Sequence, residues 1–376
     1  MTPVAAPDPP AEPPARATLF NVQWLRALAA FMVVAVHLDA LAVMAGAPPE
    51  RATVAGNGGV DLFFVISGFI MVFTTSRKPV GSLAFLGARL RRVAPLYWSV
   101  TLAVFAVARL APRLMQNTPA DPGRLLASLA FAPVLRPDGT MRPVVFVGWT
   151  LNFEMAFYVL FALGLLAPKR WMGVAGVAAA LCAAVAWGWI ARPADPIAAF
   201  YTTPMVLEFA LGMLLGLAWP FLAVAAWAAW PLAAAAVAAF GAMLAGPHLW
   251  PGADRLFVFG LPAAVIVTAA LTLERQGRSL CWGWVKALGA ASYAIYLSHF
   301  FVTQAVILAA HKAHLHGPVE AAAAAAVALI GVAVTGLALH RTLEQGADRL
   351  IDRILTPRSG RARPAAVLMV KAKSVL

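Results

Sequence analysis

Long apolar runs alternate with short polar segments along nearly the whole chain. Each run is 17 residues or longer, which is enough for an α-helix to cross the hydrocarbon core of a bilayer. The pattern predicts ten membrane-spanning segments. They lie at about residues 24–45, 60–76, 93–111, 149–167, 171–191, 201–217, 221–246, 256–273, 288–310 and 319–340.

These runs must satisfy their backbone hydrogen bonds internally, because hydrocarbon offers no partners, so each is either a helix or part of a closed barrel. They are rich in Ala, Leu, Val, Gly and Trp and lack the polar and apolar alternation of a barrel strand. We therefore expect an all-α, polytopic membrane protein. The composition, 62% hydrophobic and 12% charged residues, is typical of that class.

The two ends of the chain differ from the middle. Residues 1–20 are rich in proline and lack the basic start of a signal peptide, which indicates a disordered cytoplasmic tail. Residues 21–345 are expected to form the transmembrane domain, and residues 346–376 a basic, amphipathic cytoplasmic tail. Within 339–355 the apolar side chains fall on one side of a helix, which predicts a segment lying along the inner membrane surface.

The net charge of +13 is distributed unevenly. With the N-terminus inside, the inner loops and ends carry nineteen Lys or Arg and the outer loops carry eight, which predicts that both ends are cytoplasmic. Anionic lipid at the inner surface already accounts for these charges, so we expect no nucleic-acid partner. The expected location is a bacterial-type cytoplasmic (inner) membrane.

Two polar residues interrupt the first apolar run. Arg26 and His37 lie eleven residues apart, which on one continuous helix is about three turns, so their side chains would share a face. Ionisable side chains within a membrane usually face the bundle interior and mark functional sites. A structural role is the alternative, with Arg26 reaching the inner headgroups and His37 bonding a neighbouring helix.

Six motifs follow one another along the chain. They are Arg-x10-His in the first run, GGVDLFFVISGF at 58–69, RLRR at 89–92, WTLNFEMAFYVLF at 149–161, LEFALGMLLG at 207–216 and SYAIYLSH at 292–299. Together, over about residues 20 to 345, they resemble the membrane-bound acyltransferase 3 family. One departure stands at 202–205, where many members have an arginine and this chain has Thr-Thr-Pro-Met.

The resemblance implies a ten-helix O-acyltransferase that moves acyl groups, often acetyl, to hydroxyls of cell-surface or exported glycans. It places the catalytic histidine at His37, as the general base, and makes acyl-CoA the expected donor. Arg89 and Arg92 would bind the phosphates of CoA, with Arg26 holding the donor deeper in the membrane. Without the family, positive-inside anchoring is the better explanation of Arg89 and Arg92.

An acidic side chain is expected to orient His37. Glu154 ranks first, because it lies about 7.5 Å down a helix that enters from the outside, close to the expected depth of His37. Asp61, near the mouth of the second run, ranks second and Glu208 third; for Glu208 a structural hydrogen bond is the favoured explanation. His299 is expected at mid-membrane, where a bond within the bundle explains it as well as catalysis does.

Several alternatives stay open at this stage. An acyl-enzyme could form on Ser67 or on His37 itself, and the acyl group and the acceptor are not determined. The main rival function is a multi-pass transporter of a glycan or small acid, since ten helices with buried charges also describe carriers; a third is an inactive scaffold in a polysaccharide export complex. We expect no metal, and we expect membrane lipid, a glycan or other hydroxyl acceptor, and polysaccharide assembly proteins as partners.

Overall fold

The computed structural model describes residues 18–46, 48, 54–114, 120–136, 139–222 and 226–355. The expected N-terminal tail lies outside the described residues except for its last three, and the expected C-terminal tail lies outside them beyond residue 355. The helices are α1 (Phe20–Val36), α2 (Asp39–Met44), α3 (Gly58–Arg77), α4 (Ser82–Leu110), α5 (Pro122–Leu129), α6 (Trp149–Gly164), α7 (Arg170–Ala191), α8 (Pro196–Tyr201), α9 (Leu207–Ala218), α10 (Ala229–Leu249), α11 (Leu261–Arg275), α12 (Gly283–Ala290), α13 (Ser292–Lys312), α14 (Pro318–Leu339) and α15 (Gln345–Leu355).

The all-α, polytopic prediction is confirmed. In the described part of the chain, nine helical stretches are long and apolar enough to cross a membrane, and α1, at 17 residues, is a shorter apolar helix. These ten helices correspond in order to the ten predicted segments. Apart from one isolated bridge between Leu135 and Met141, the described residues form no β-structure.

Both ends of the described chain lie on the same face of the bundle. At the start of α1, the backbone N–H groups of Phe20 and Asn21 donate to the carboxylate of Glu274 at the end of α11. In α15, Asp352 pairs with Arg91 near the start of α4. We call this the inner face and the opposite one the outer face; the bias of basic residues predicts that the inner face is cytoplasmic.

Helix α3 lies at the centre of the bundle, and 15 of its 20 residues are buried. Its glycines allow neighbouring helices to approach closely. A Cβ added at Gly68 would stand 2.2 Å from the carbonyl oxygen of Phe209 in α9, and one at Gly212 would stand 2.0 Å from that of Val65. The backbones of α3 and α9 therefore meet closely at these two glycines.

The first predicted span departs from a continuous helix. Helix α1 ends at Val36, and His37 and Leu38 form a tight turn in which each N–H bonds the carbonyl three residues earlier rather than four. A second short helix, α2, then follows. His37 is consequently the residue after the last helical one, and its side chain is not carried by the same regular helix as Arg26.

The third span begins earlier than predicted. Helix α4 starts at Ser82, eleven residues before the expected 93, with Gly81 as the residue that precedes it, and it continues through Gly87 and Pro95. Arg89 and Arg92 therefore lie on the helix itself rather than in a preceding loop. Their spacing of three residues puts both on one side of α4.

The last helix continues past the membrane span. Helix α14 continues through a π-helical turn (His340–Glu344) into α15. The segment expected along the inner membrane surface is therefore a helical continuation of the last span. Its apolar residues Leu343 and Leu350 are exposed, while Asp352 contacts α4. This is the amphipathic division that the sequence predicts; its contact with lipid stays a prediction.

Candidate active site

Three cavities follow one another through the bundle, from the inner face to the outer face. The inner cavity, of about 850 Å³, lies between α4 and α15. The middle cavity, of about 110 Å³, lies between α1, α3, α6 and α13. The outer cavity, of about 660 Å³, opens toward the outer face near the end of α1.

The inner cavity is bordered by opposite charges. Its basic lining residues are Lys78, Arg89, Arg91, Arg92, Lys286 and Arg349. Facing them are Glu344, Asp348 and Asp352, whose spacing of four residues places them on one side of the continuing helix. Arg91 pairs with Asp352 at 2.5 Å. The cavity thus presents an anion-binding surface against which an acidic helix face is already packed.

Two arginines line both the inner and the middle cavity: Arg89 and Arg92. Arg89 is buried, its Nη2 donates to the hydroxyl of Thr74 at 3.3 Å, and its guanidinium lies 5.3 Å from the ring centre of Phe85. A guanidinium stacked in this way keeps several N–H donors in a fixed fork. These two residues therefore form the connection between the inner face and the interior of the bundle.

The middle cavity holds three more of the polar residues that the sequence singled out. Arg26 is buried and its Nε donates to the hydroxyl of Ser292 at 3.2 Å. Glu154 accepts a hydrogen bond from Ser67 at 3.4 Å and another from Tyr158. The structure thus brings together Arg26, Arg89, Arg92, Ser67 and Glu154.

The outer cavity is lined by aliphatic and aromatic residues with a few polar ones among them. His37 lines it, together with Phe146, Trp149 and Phe200. The guanidinium of Arg142 also lines it and lies over the ring of Phe146, 4.5 Å from the ring centre. Such a wall of flat side chains with a few convergent polar groups is typical of a site for a small organic molecule.

Tyr296 stands between the middle and outer cavities and lines both, as does Val60. The Tyr296 hydroxyl donates to the carbonyl oxygen of Val147 at 2.9 Å and bonds the hydroxyl of Thr150 at 2.8 Å. These bonds join α13 to the start of α6. Arg26 and His37 therefore both face the interior, as the sequence predicts, but in adjacent cavities on either side of Tyr296.

Three rings lie against His37, and the charges of Asp39, two residues further along the chain, and of Arg142 also act on it. The centre of its imidazole lies 5.0 Å from that of His299, 5.6 Å from that of Phe146 and 5.5 Å from that of Phe300, with both phenyl rings edge-on. His299 is buried. The two histidines that the sequence identified separately are therefore in contact.

The structure does not bring the three carboxylates to His37. Glu154 contacts Ser67 and Tyr158 in the middle cavity instead. Asp61 is bound through both oxygens by Arg255, at 2.9 Å and 2.6 Å. Glu208 is buried next to that pair and interacts electrostatically with both partners. The depth estimate failed for Glu154 because His37 leaves the helix in a turn and lies in the outer cavity.

The sequence pattern did not predict a place in the site for Arg255, Tyr296 or Arg142. Arg255 stood just before an apolar run and was counted only as a loop charge, although Asp61 needs a cation wherever it is buried. Tyr296 stands inside the SYAIYLSH motif, three residues before His299, which was the available signal. Among the described residues, no group of three or more His, Cys, Asp or Glu is placed to hold a metal ion.

Comparison with known proteins gives consistent matches. The family model for an acyltransferase domain, of the acyltransferase 3 type, matches residues 19–337. The exopolysaccharide production protein ExoZ of Rhizobium meliloti (strain 1021) is 35% identical over 320 residues, which cover 82% of this chain and 95% of that protein. The acyltransferase MdmB of Streptomyces mycarofaciens is 26% identical over 390 residues, which cover 93% and 94%. No solved structure matches.

Proposed function

The chain belongs to the acyltransferase 3 family, and we propose that it transfers an acyl group from cytoplasmic acyl-CoA to a hydroxyl of a cell-surface or exported glycan. Family and helices together identify it as a multi-pass membrane acyltransferase. The glycan acceptor is supported by the relative named for exopolysaccharide production. The single observation that carries the proposal is the series of cavities from the inner arginines to His37.

The donor side of the proposal is the inner and middle cavities. CoA carries a pyrophosphate and a 3'-phosphate, and guanidinium groups bind phosphate oxygens in pairs. Arg89 and Arg92 lie at the connection of the two cavities, where they can hold phosphates on the inner side while the acyl end reaches inward. Arg26 lies beyond them in the middle cavity, toward the thioester.

The volume of the middle cavity bears on the acyl group. At about 110 Å³ it has room for a few small groups but not for a nucleotide or a long fatty acyl chain. The nucleotide would therefore stay in the inner cavity, which is larger. This favours a small acyl group, acetyl first, and acetyl-CoA as the donor.

The acceptor side is the outer cavity. An acceptor hydroxyl enters from the outer face and approaches His37, flanked by Phe146 and Trp149. His37 accepts the proton of that hydroxyl while the hydroxyl oxygen forms an ester bond with the acyl carbon. His37 then gives the proton to the sulfur of CoA as the carbon–sulfur bond of the thioester breaks. The products are an acylated glycan and free CoA.

The test is transfer of label by the purified protein in lipid nanodiscs. Acetyl-CoA labelled in the acetyl group is incubated with surface glycan taken from a strain that lacks this protein. We expect covalent label on the glycan, and labelling at least about 100-fold slower with the H37A variant. The rival function is tested with the same protein in sealed vesicles, where glycan that crosses the membrane without gaining label would indicate a transporter.

A further inference from the structure

We propose that His299 is the positioning residue of His37 and takes the place of the carboxylate that usually orients a catalytic histidine. This inference depends on the proposed function, in which His37 is the general base. It assigns to the motif SYAIYLSH a specific task in the reaction.

The first step fixes the proton on His299. Its Nδ1 lies 2.5 Å from the backbone carbonyl oxygen of Tyr296. A carbonyl oxygen only accepts hydrogen bonds, so Nδ1 must be the donor and carry the hydrogen. In a neutral imidazole the other nitrogen, Nε2, then has the free lone pair.

The second step concerns that lone pair. His299 has no exposed surface, and its Nε2 has no hydrogen-bond partner among the described residues. Buried polar atoms almost always have a partner, and an exception calls for an explanation. A group that arrives or rotates into place during the reaction would supply one.

The third step identifies that group as the ring of His37. The two ring centres are 5.0 Å apart, close enough for an N–H of one ring to reach a nitrogen of the other at roughly 3 Å once the ring turns. The other rings against His37, Phe146 and Phe300, offer no acceptor. Hydrogen bonds of catalytic bases are often loose before substrate binds and tighten afterwards.

The chemical consequence follows from these positions. When His37 donates its N–H to Nε2 of His299, its second nitrogen keeps a lone pair for the acceptor hydroxyl. After His37 takes up the proton, the same bond stabilises the cation that forms, which is the task of the aspartate in a serine protease triad. A neutral imidazole does this without placing a permanent charge at mid-membrane, where charges are costly.

The backbone that holds His299 is itself fixed. The Tyr296 hydroxyl forms hydrogen bonds with Val147 and Thr150 at the start of α6. These bonds hold in place the turn of α13 whose carbonyl, that of Tyr296, accepts the hydrogen bond from His299. A positioning residue has to be held in this way if it is to orient another group.

Two substitutions separate this role from a merely structural one. Asparagine at 299 can donate to the Tyr296 carbonyl as Nδ1 does, but it has nothing at the position of Nε2. Glutamine is longer, and its amide oxygen can accept a hydrogen bond from His37. We expect H299N to lower kcat about 10- to 100-fold with KM for both substrates nearly unchanged, and H299Q to retain activity within a few-fold of the parent protein.

The matched control is H311Q, an exposed histidine at the outer end of the same helix, which should leave kcat unchanged. The second measurement is a double-mutant cycle. Because His299 acts through His37, the variant H37A/H299N should be no slower than H37A alone.

Three outcomes would overturn the proposal. The first is full activity of H299N. The second is a lower kcat for H299Q than for H299N. The third is a kcat of H37A/H299N that is lower than that of H37A by the whole factor that H299N shows alone. If H299N does not insert, the order of H299Q and H299F, which fills the space without an acceptor, decides instead, and equal rates would contradict the proposal. Full activity of H37A would refute the proposed function itself, which distinguishes the two failures.

Discussion

The inner and outer cavities differ in how their charged groups are satisfied. Around the inner cavity, arginines are held by carboxylates and hydroxyls, as in the Arg91–Asp352 pair and the bond from Arg89 to Thr74. Around His37, the closest groups are the rings of Phe146, Phe300 and His299, with the charges of Asp39 and Arg142 acting on it. In the proposed reaction, anion binding and proton transfer therefore take place in separate cavities, with Tyr296 between the outer and the middle cavity.

Electrostatics explains why each chemistry sits where it does. A guanidinium is always charged, so it is cheapest near an inner headgroup region or beside carboxylates that offset it. An imidazole can stay neutral and still exchange a proton. Arg26, Arg89 and Arg92 line the middle cavity on the inner side of Tyr296, whereas His37 lines the outer cavity together with Arg142. In the proposed reaction, the group that exchanges the proton is thus one that need not carry a permanent charge.

The largest effect is expected from removal of the base. H37A should lower acyl transfer by at least 100-fold, because a general base contributes about 10²- to 10⁴-fold. The measurement is label transfer from acetyl-CoA to glycan, with H311A as the control on an exposed outer histidine. Normal transfer by H37A would mean that the outer cavity is not the reaction site.

The next effect is expected on the donor side. R89Q should raise KM for acetyl-CoA by roughly 10- to 100-fold, since a hydrogen bond to a charged group is worth about 1.5–3 kcal/mol and each 1.4 kcal/mol is tenfold. R89K keeps the positive charge but loses the paired N–H donors of the guanidinium, so its KM for acetyl-CoA should lie between that of the parent protein and that of R89Q. R278Q, an exposed arginine on the same face, is the control. A fall in kcat at unchanged KM would instead place Arg89 in the chemical step.

Glu154 tests which cavity it serves. E154Q loses a charged acceptor of two hydrogen bonds, from Ser67 and Tyr158, so we expect the Tm to fall by on the order of 3 °C. Because Glu154 does not contact His37, kcat at saturating substrate should change by less than about threefold, well below the 10- to 100-fold expected for H299N. A loss of kcat equal to that of H299N would make Glu154 the partner of His37.

The smallest effect is expected at the inner mouth. D352N removes the carboxylate that competes for Arg91, so KM for acetyl-CoA should fall two- to fivefold. This range follows from the at most about 1 kcal/mol that a partly exposed ion pair contributes. The effect should shrink at high salt, because exposed pairs are screened. An unchanged KM at low salt would show that the acidic face of α15 does not compete with the donor.

Much of this architecture could be predicted from the sequence. Hydropathy alone located all ten apolar helices, since a membrane helix needs about twenty apolar residues in a row whatever its neighbours are. The charge bias predicts the orientation, which stays a prediction, and Arg26 and His37 stood out because ionisable residues in such runs are rare.

The partners of the site residues could not be predicted in the same way. They come from helices far apart in sequence: Asp61 meets Arg255 across 194 residues, and Glu154 meets Ser67 across 87. The tight turn at His37 has no breaker residue to announce it, because neither Gly nor Pro occurs between 25 and 40. The estimate of depth along a continuous helix therefore paired Glu154 with the wrong cavity.

Transfer from one side of the membrane to the other is tested most directly in vesicles that hold the protein in one orientation. Labelled acetyl-CoA is supplied only on the side of Arg89, and glycan only on the side of His37. We expect covalent label on the glycan, none when the two substrates are exchanged between the sides, and at least about 100-fold slower labelling when His37 is alanine. Transfer that requires both substrates on the same side would contradict a path through the bundle past Tyr296.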